Sequence, residues 1–251
     1  MKKKILILAW GFSKEREISL KTAKGVFNQI KRKYYVKICE PNGDLIRNLR
    51  SFKPDVVFNA LHGRYGEDGY VQSLLESEKI KYTHSGVLSS SIAIDKEISK
   101  NVFVKNNILT PKYFKFKFNK FKKKSELKRK IKSKLSFPVV IKPFNEGSSV
   151  EVYICSEKNL FKNLNKLSPY KEIMIEKYIP GREIQVAIMG KRKLGAIELV
   201  PKRKFYDYQA KYNVKSKTKH IIPVKINKKM MNEVLNIALK AHKAIGCKGV
   251  T

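Results

Sequence analysis

The sequence predicts a mixed α/β and α+β architecture. A doubly wound α/β half-domain comes first, and a part built on an antiparallel sheet follows. Three observations predict it. Strand and helix patterns alternate through roughly the first 90 residues. Two polar clusters fall just where strands of that half end. Further on, Val139 to Ser149 (VVIKPFNEGSS) and the run that re-enters at Ser149 to Ile154 read as two strands joined by a glycine-containing loop.

Ile5 to Trp10 is read as a buried parallel strand. The lysines before it imitate a secretion signal. The apolar run is short, however, no small-residue cleavage site follows, and Lys14-Glu15-Arg16-Glu17 comes at once. After a turn at Gly11-Phe12-Ser13, Leu20, Ala23, Val26, Phe27 and Ile30 lie on one face of a helix. Tyr35 to Cys39 is a second strand, Leu45, Leu49 and Phe52 mark a short helix, and Val56 to Ala60 is a third strand running into Leu61-His62-Gly63.

In doubly wound sheets ligands gather beyond the carboxyl ends of strands. The clusters Gly11 to Glu15 and His62 to Gly69 stand at such ends. Each has a plain structural reading. Glu15 can offset a helix macrodipole, Ser13 can cap the helix, and His62 can be a satisfied, half-buried histidine. Both lie on the same edge of one sheet, which points to a site.

Val87 to Ile94 is read as a helix, and Asp95-Lys96 opens another that Pro111 ends. Lys112 to Phe118 alternates like a strand, and a basic helix follows. In the strand–loop–strand stretch, glycine lets the backbone approach a ligand and successive N–H groups can converge on an anion. Lys142 supplies a point charge for a phosphate. The pattern is not the GxxxxGK[ST] phosphate loop; taken alone, an ordinary surface hairpin explains it more often. Lys158 to Leu167 is helical, Ile173 to Glu176 extended, and Glu176 to Gly181 a linker. Arg182 to Met189 and Lys193 to Val200 form a hairpin around Gly190-Lys191-Arg192. Phe205 to Tyr212 has no period and reads as a lid. Met230, Val234, Ile237, Ala241 and Ile245 mark a last helix that Gly246 ends, before what reads as the opening of a further strand.

Lys+Arg 55 against Asp+Glu 21 leaves a formal charge of +34. Such an excess draws polyanions, but the lysines are spread along the whole chain and no nucleic-acid motif accompanies them. The densest run, Lys112 to Lys134, is read as a solvated loop and helix face. Cys39, Cys155 and Cys247 show no CxxC spacing, which argues against a disulfide framework and a zinc site and for a reducing, cytoplasmic setting. No apolar run is long enough to span a bilayer.

Several motifs stand in a telling order. They are Ser13-Lys14-Glu15-Arg16-Glu17-Ile18-Ser19-Leu20, Ala60-Leu61-His62-Gly63, Gly66-Glu67-Asp68-Gly69, Lys142-Pro143, Glu146-Gly147-Ser148-Ser149, Glu176-Lys177-Tyr178-Ile179, Gly181-Arg182-Glu183 and Phe205 to Tyr212. Together they resemble the D-alanine–D-alanine ligases, over nearly the whole chain. The resemblance implies an ATP-grasp fold lacking its C-terminal part, with domains at 1–85, 86–180 and 181–251. It implies ATP-dependent joining of two D-alanines through an acyl phosphate, for peptidoglycan precursors. It also implies that Lys96, Lys142 and Lys211 contact ATP phosphates, that Glu146, Gly147, Ser148 and Ser149 cover them, that Glu176, Lys177, Tyr178 and Ile179 hold the adenine, and that Glu183 accepts the ribose hydroxyls. Glu15 would hold the ammonium of the first D-alanine, with His62 near its carboxylate. Ser148 and Tyr212 would join Glu15 in a catalytic hydrogen-bonded triad.

The chain departs from the family at Trp10-Gly11, where two glycines are usual, and at Glu151, where glycine is common. It also stops before the family's Arg, Asp, Glu and Asn that serve the magnesium ions. A C-terminally truncated copy follows as an expectation, with no metal ligand in these 251 residues and little or no ligase activity of its own; the other reading is a non-catalytic nucleotide-binding remnant. Expected partners are ATP, D-alanine and a second copy of the chain, as in the family's dimers, with neither nucleic acid nor membrane.

Overall fold

A computed structural model describes residues 2–118, 124–202, 211 and 218–251. The chain gathers into two compact units. One comprises residues 1–99, 187–194 and 238–251; the other comprises 100–186 and 195–237.

The first unit is built on three parallel strands, β1 (Lys4–Leu8), β2 (Tyr35–Cys39) and β3 (Val56–Asn59), in the order β2-β1-β3. An isolated parallel bridge from Val57 to Tyr82 extends the β3 edge. Alternation along β1 decides what packs where, because successive side chains point to opposite faces. Leu6 and Leu8 lie in a cluster with Leu45 and Leu49 of α2 (Leu45–Phe52) and Val71 and Leu75 of α3 (Tyr70–Ser77). Ile7 and Ala9 lie in another with Ala23, Val26, Phe27 and Ile30 of α1 (Arg16–Ile30). Helices therefore cover both faces, as the predicted double winding requires. Leu6, Ile7 and Leu8 are fully buried, and each such side chain contributes about 1.5–3 kcal/mol. Helix α3 has no counterpart in the sequence reading; its eight residues are too few for a clear period. The unit also holds α4 (Val87–Ile94). Asp95 Oδ1 accepts the N–H groups of Glu97 and Ile98 at the start of α5 (Lys96–Lys105).

The second unit carries the antiparallel sheet β4-β7-β5-β6, formed by β4 (Tyr113–Lys117), β5 (Val139–Lys142), β6 (Tyr153–Cys155) and β7 (Glu172–Lys177). Leu127 and Ile131 of α6 (Lys124–Lys134) and Leu160 and Leu164 of α7 (Leu160–Lys166) share a core with Val139, Ile141, Ile173 and Ile175. Residues 119–123 of the charge run lie outside the described residues. Lys124, Lys132 and Lys134 of α6 are exposed and Lys128 and Lys130 half-buried, and Lys132 and Lys128 meet Glu157 at 2.8 and 3.5 Å. This is the solvated helix face expected from the charge run.

A third sheet has the order β10-β9-β8, from β8 (Glu183–Met189), β9 (Arg192–Val200) and β10 (Lys219–Ile221), and a long helix follows, α8 (Lys228–Ile245). Near the end of the chain Val250 bridges to Met189, consistent with the strand opening expected there. One expectation fails: residues 149–152 do not re-enter a strand. Residues 148–151 form a turn, and β6 begins only at Tyr153, because Ser148, Ser149 and Glu151 take left-handed φ values that no strand accommodates.

Candidate functional site

In the first unit, parallel pairing of β1 with β3 places their carboxyl ends side by side. The chain leaves β1 through Trp10 (φ +71°) and Gly11 (φ +77°). The Trp10 ring packs with the cluster of Ile7, Ala9, Ala23 and Ala60. Its bulk at the turn is thus accommodated by apolar contact. Ser13 does not cap α1. Its hydroxyl donates to His62 O at 2.7 Å and accepts the Glu15 N–H at 3.1 Å. One serine thereby ties together the two clusters that lie 49 residues apart.

Glu15 is buried (4% exposed) at the start of α1. A Cβ placed on Gly63 (φ +65°) would come within 3.1 Å of Ser13 Cβ and 3.6 Å of Glu15 Oε2, so the loop passes tightly over this carboxylate. At Gly66 a Cβ would come 2.1 Å from Leu61 Cβ, and Gly66 O accepts both Asn59 Nδ2 and Gln72 Nε2 at 2.7 Å. The glycines of this motif are therefore demanded by close approach.

His62 has Nε2 3.3 Å from Thr22 Oγ1 and Nδ1 3.8 Å from Glu67 Oε1, while Glu67 Oε2 accepts the Gly63 N–H at 3.0 Å. About half of the Glu67 side chain meets solvent (48%), yet the protein atoms crowding its carboxyl raise its pKa. The neighbouring Glu15 and Asp68 carboxylates add to this, and the Gly63 N–H and His62 oppose it. Glu67 had no assigned role in the sequence reading, although it lies inside the Gly66-Glu67-Asp68-Gly69 motif. The result is two carboxylates and an imidazole around one sheet edge, a setting suited to an ammonium.

In the second unit, antiparallel pairing of β5 with β7 sets Val140 opposite Glu176 and Lys142 opposite Met174. Glu176 is 6% exposed and has a lysine on each oxygen. Lys142 Nζ donates to Oε1, and Lys100 Nζ lies 2.7 Å from Oε2. Lys100, also buried, donates in addition to Thr110 Oγ1 (2.6 Å) and Pro111 O (2.7 Å). Burial lowers the Lys100 pKa, Glu176 works against that, and Lys142 reinforces it. Two ammonium groups thus share one carboxylate, leaving a net positive charge at the strand end from which the loop starts. Sequence reasoning found Lys142 and Glu176 but missed Lys100, which sits mid-helix with no local signal; only its helical spacing, four residues after Lys96, marked it.

The loop from Pro143 to Val152 (the flap) carries Glu146, Gly147, Ser148 and Ser149 as expected, but Gly147 is not where its backbone turns left-handed; Ser148 (φ +46°), Ser149 (φ +58°) and Glu151 (φ +55°) are. Asn145 Oδ1, in the same loop, is buried without a hydrogen-bond partner among the described residues. Lys177 ends β7, with Tyr178 half-buried and Ile179 exposed just beyond. Glu183 opens β8; partial burial raises its pKa, and Lys211 opposes this. Lys96, the first residue of α5, belongs to the first unit. Tyr212 and the remainder of the predicted lid, 205–210, lie outside the described residues.

Comparison with known proteins bears on the family of the chain. A sequence-family profile described as "D-ala D-ala ligase C-terminus" matches residues 102–251, and one described as "D-ala D-ala ligase N-terminus" matches residues 40–85. The D-alanine–D-alanine ligase of Pelagibacter ubique (strain HTCC1062) is 62% identical over 252 residues, covering 100% of this chain and 82% of that protein. That of Wolbachia pipientis wMel is 43% identical, covering 98% and 77%. Among solved structures, the Bacillus anthracis D-alanine–D-alanine ligase superposes with a TM-score of 0.83 at 32% identity, covering 99% of this chain and 80% of that one. A structure of that enzyme complexed with ATP gives 0.79 at 29% identity, covering 99% and 79%.

Proposed function

The chain belongs to the D-alanine–D-alanine ligase family, and from that premise we propose what its residues do in the family's reaction, the ATP-dependent joining of two D-alanines. A carboxylate is a poor electrophile, so its oxygen first takes the γ-phosphoryl group of ATP. The amine of the second D-alanine then attacks the acyl phosphate and phosphate leaves. The observation that carries the assignment is the Lys142–Glu176–Lys100 cluster, with its surplus positive charge at the base of the flap.

In this reading Lys142 meets the ATP phosphates, as do Lys96 and Lys211, and the Glu146 to Ser149 loop covers them. The carboxylate of Glu176 is committed to the two lysines, so its part in holding the adenine falls to the backbone of Glu176 to Ile179. Glu183 accepts the ribose hydroxyls. On the substrate side Glu15 receives the first D-alanine's ammonium, His62 stands near its carboxylate, and Ser148 and Tyr212 complete the triad with Glu15. Supporting the substrate assignment are the burial of Glu15 and the crowding of a second carboxylate, Glu67, beside it.

Magnesium is the family's expected metal. Among the described residues no group of three or more His, Cys, Asp or Glu stands placed to hold a metal ion. The described residues do not fit it. The companion proposals are a three-part division at 1–85, 86–180 and 181–251, a homodimer, a cytoplasmic setting, and a role in cell-wall precursor synthesis. No described helix is long and apolar enough to cross a membrane.

Titration calorimetry of the 251-residue chain with ATP tests the nucleotide reading. Lys142→Ala is expected to weaken binding by about 10- to 100-fold, the worth of one charged hydrogen bond; unchanged affinity overturns the assignment. We propose low turnover for this polypeptide alone. Phosphate release that depends on D-alanine refutes that part while leaving the binding assignment intact.

A further inference from the structure

Two phenol–carboxylate bonds are among the contacts that join the flap to the rest of its unit. Tyr170, in the connection from α7 to β7, donates its hydroxyl to Glu146 Oε1 at 3.1 Å. Tyr153, the first residue of β6, donates to Glu151 Oε2. Glu146 precedes the left-handed run and Glu151 closes it, so the two bonds bracket it. The phenols are firmly mounted. Both rings pack against the core of the antiparallel sheet, and Lys166 Nζ lies over the Tyr153 ring at 4.9 Å. Burial and the facing carboxylates push both phenol pKa values up to about 12, so both remain donors at neutral pH.

The loop between them needs holding. Left-handed φ costs an L-residue roughly 1–2 kcal/mol, and three residues among 148–151 adopt it. Its internal backbone bonds include Val150 N to Gly147 O at 2.9 Å and Val152 N to Ser149 O at 3.4 Å. The same loop carries two carboxylates, and a free carboxylate beside a polyphosphate repels it. Fixing each to a phenol fixes where that charge sits.

We propose that Tyr153 and Tyr170 are positioning residues of the nucleotide site: their phenols pin Glu151 and Glu146, hold the left-handed run in its turn, and keep two negative charges from swinging onto the polyphosphate. The proposal rests on the reading of the flap as an ATP cover, and its test separates the two. In the ligand-free chain, Tyr153→Phe and Tyr170→Phe should speed amide exchange at Val150 and Val152 by about tenfold, with the sheet amides unchanged.

By calorimetry both variants should bind ATP about tenfold more weakly, with adenosine, which lacks phosphates, changed by less than about twofold. Adding Glu151→Gln to Tyr153→Phe should recover part of the ATP affinity, because the released charge is gone. Unchanged exchange, equal losses for ATP and adenosine, or no recovery in the double variant overturns the proposal. Should the unaltered chain bind no ATP, the nucleotide reading of the site falls, and the exchange arm alone decides whether the phenols hold the loop.

Discussion

Lys100 makes three polar contacts within 2.7 Å from a buried position, and its ammonium faces one oxygen of a buried carboxylate. Lys100→Met strips one oxygen of the buried Glu176 of its partner, while Lys142 still holds the other. It is therefore expected to cost about 1–3 kcal/mol in urea unfolding, and the double variant with Glu176→Gln less than the sum of the two single changes. Additive losses would mean that the two side chains do not act as a pair. His84 tests the same logic on a proton. Its pKa is lowered, chiefly by burial, with the Thr83 contact opposing and His62 assisting. A folded-state pKa below the unfolded value near 6.5 means that the unfolded chain binds the extra proton first. Stability is then full above pH 6.5 and falls as the pH drops toward the folded-state value. His84→Asn, whose side chain tolerates the φ of +75° at this position, should reduce the loss of Tm between about pH 7 and 5. An undiminished loss assigns the acid sensitivity to other groups.

At the scale of elements, α6 has a held face and a wetter one. Leu127 and Ile131 are 1% and 0% exposed, whereas the Lys132 side chain is 58% exposed. Ile131→Ala should destabilise the chain by about 2–5 kcal/mol through lost burial and the cavity it leaves. Lys132→Ala should cost less than about 1 kcal/mol despite its 2.8 Å contact with Glu157. Comparable losses from the two would mean that the basic face carries structure. The flap is the element least legible from sequence. A glycine between polar residues predicted a turn, and a turn forms, but Gly147 is not its left-handed residue. Ser148, Ser149 and Glu151 take that conformation between ends held by Tyr153, two residues beyond Glu151, and by the more distant Tyr170.

For the whole molecule, +34 spread over 251 residues is a self-repelling charge. Salt shortens its range to about 10 Å at 0.1 M. Raising sodium chloride from about 20 to 300 mM should therefore raise the Tm, and an unchanged or falling Tm would show that close ion pairs outweigh the net repulsion. By itself the sequence determined the strand–helix alternation, the apolar faces of the helices, the motif order that carries the family, and the placing of the Glu15 and His62 clusters on one sheet edge. Those follow from local period and from residue type, which a linear chain displays. Only the tertiary structure decided that Ser13 joins two clusters instead of capping a helix, that Lys100 completes the ion cluster around Glu176, and that Tyr170 reaches Glu146 in the flap. Each of these depends on partners brought together by strand pairing and core packing. Partnership of that kind has no period and leaves no mark on the residues one position away.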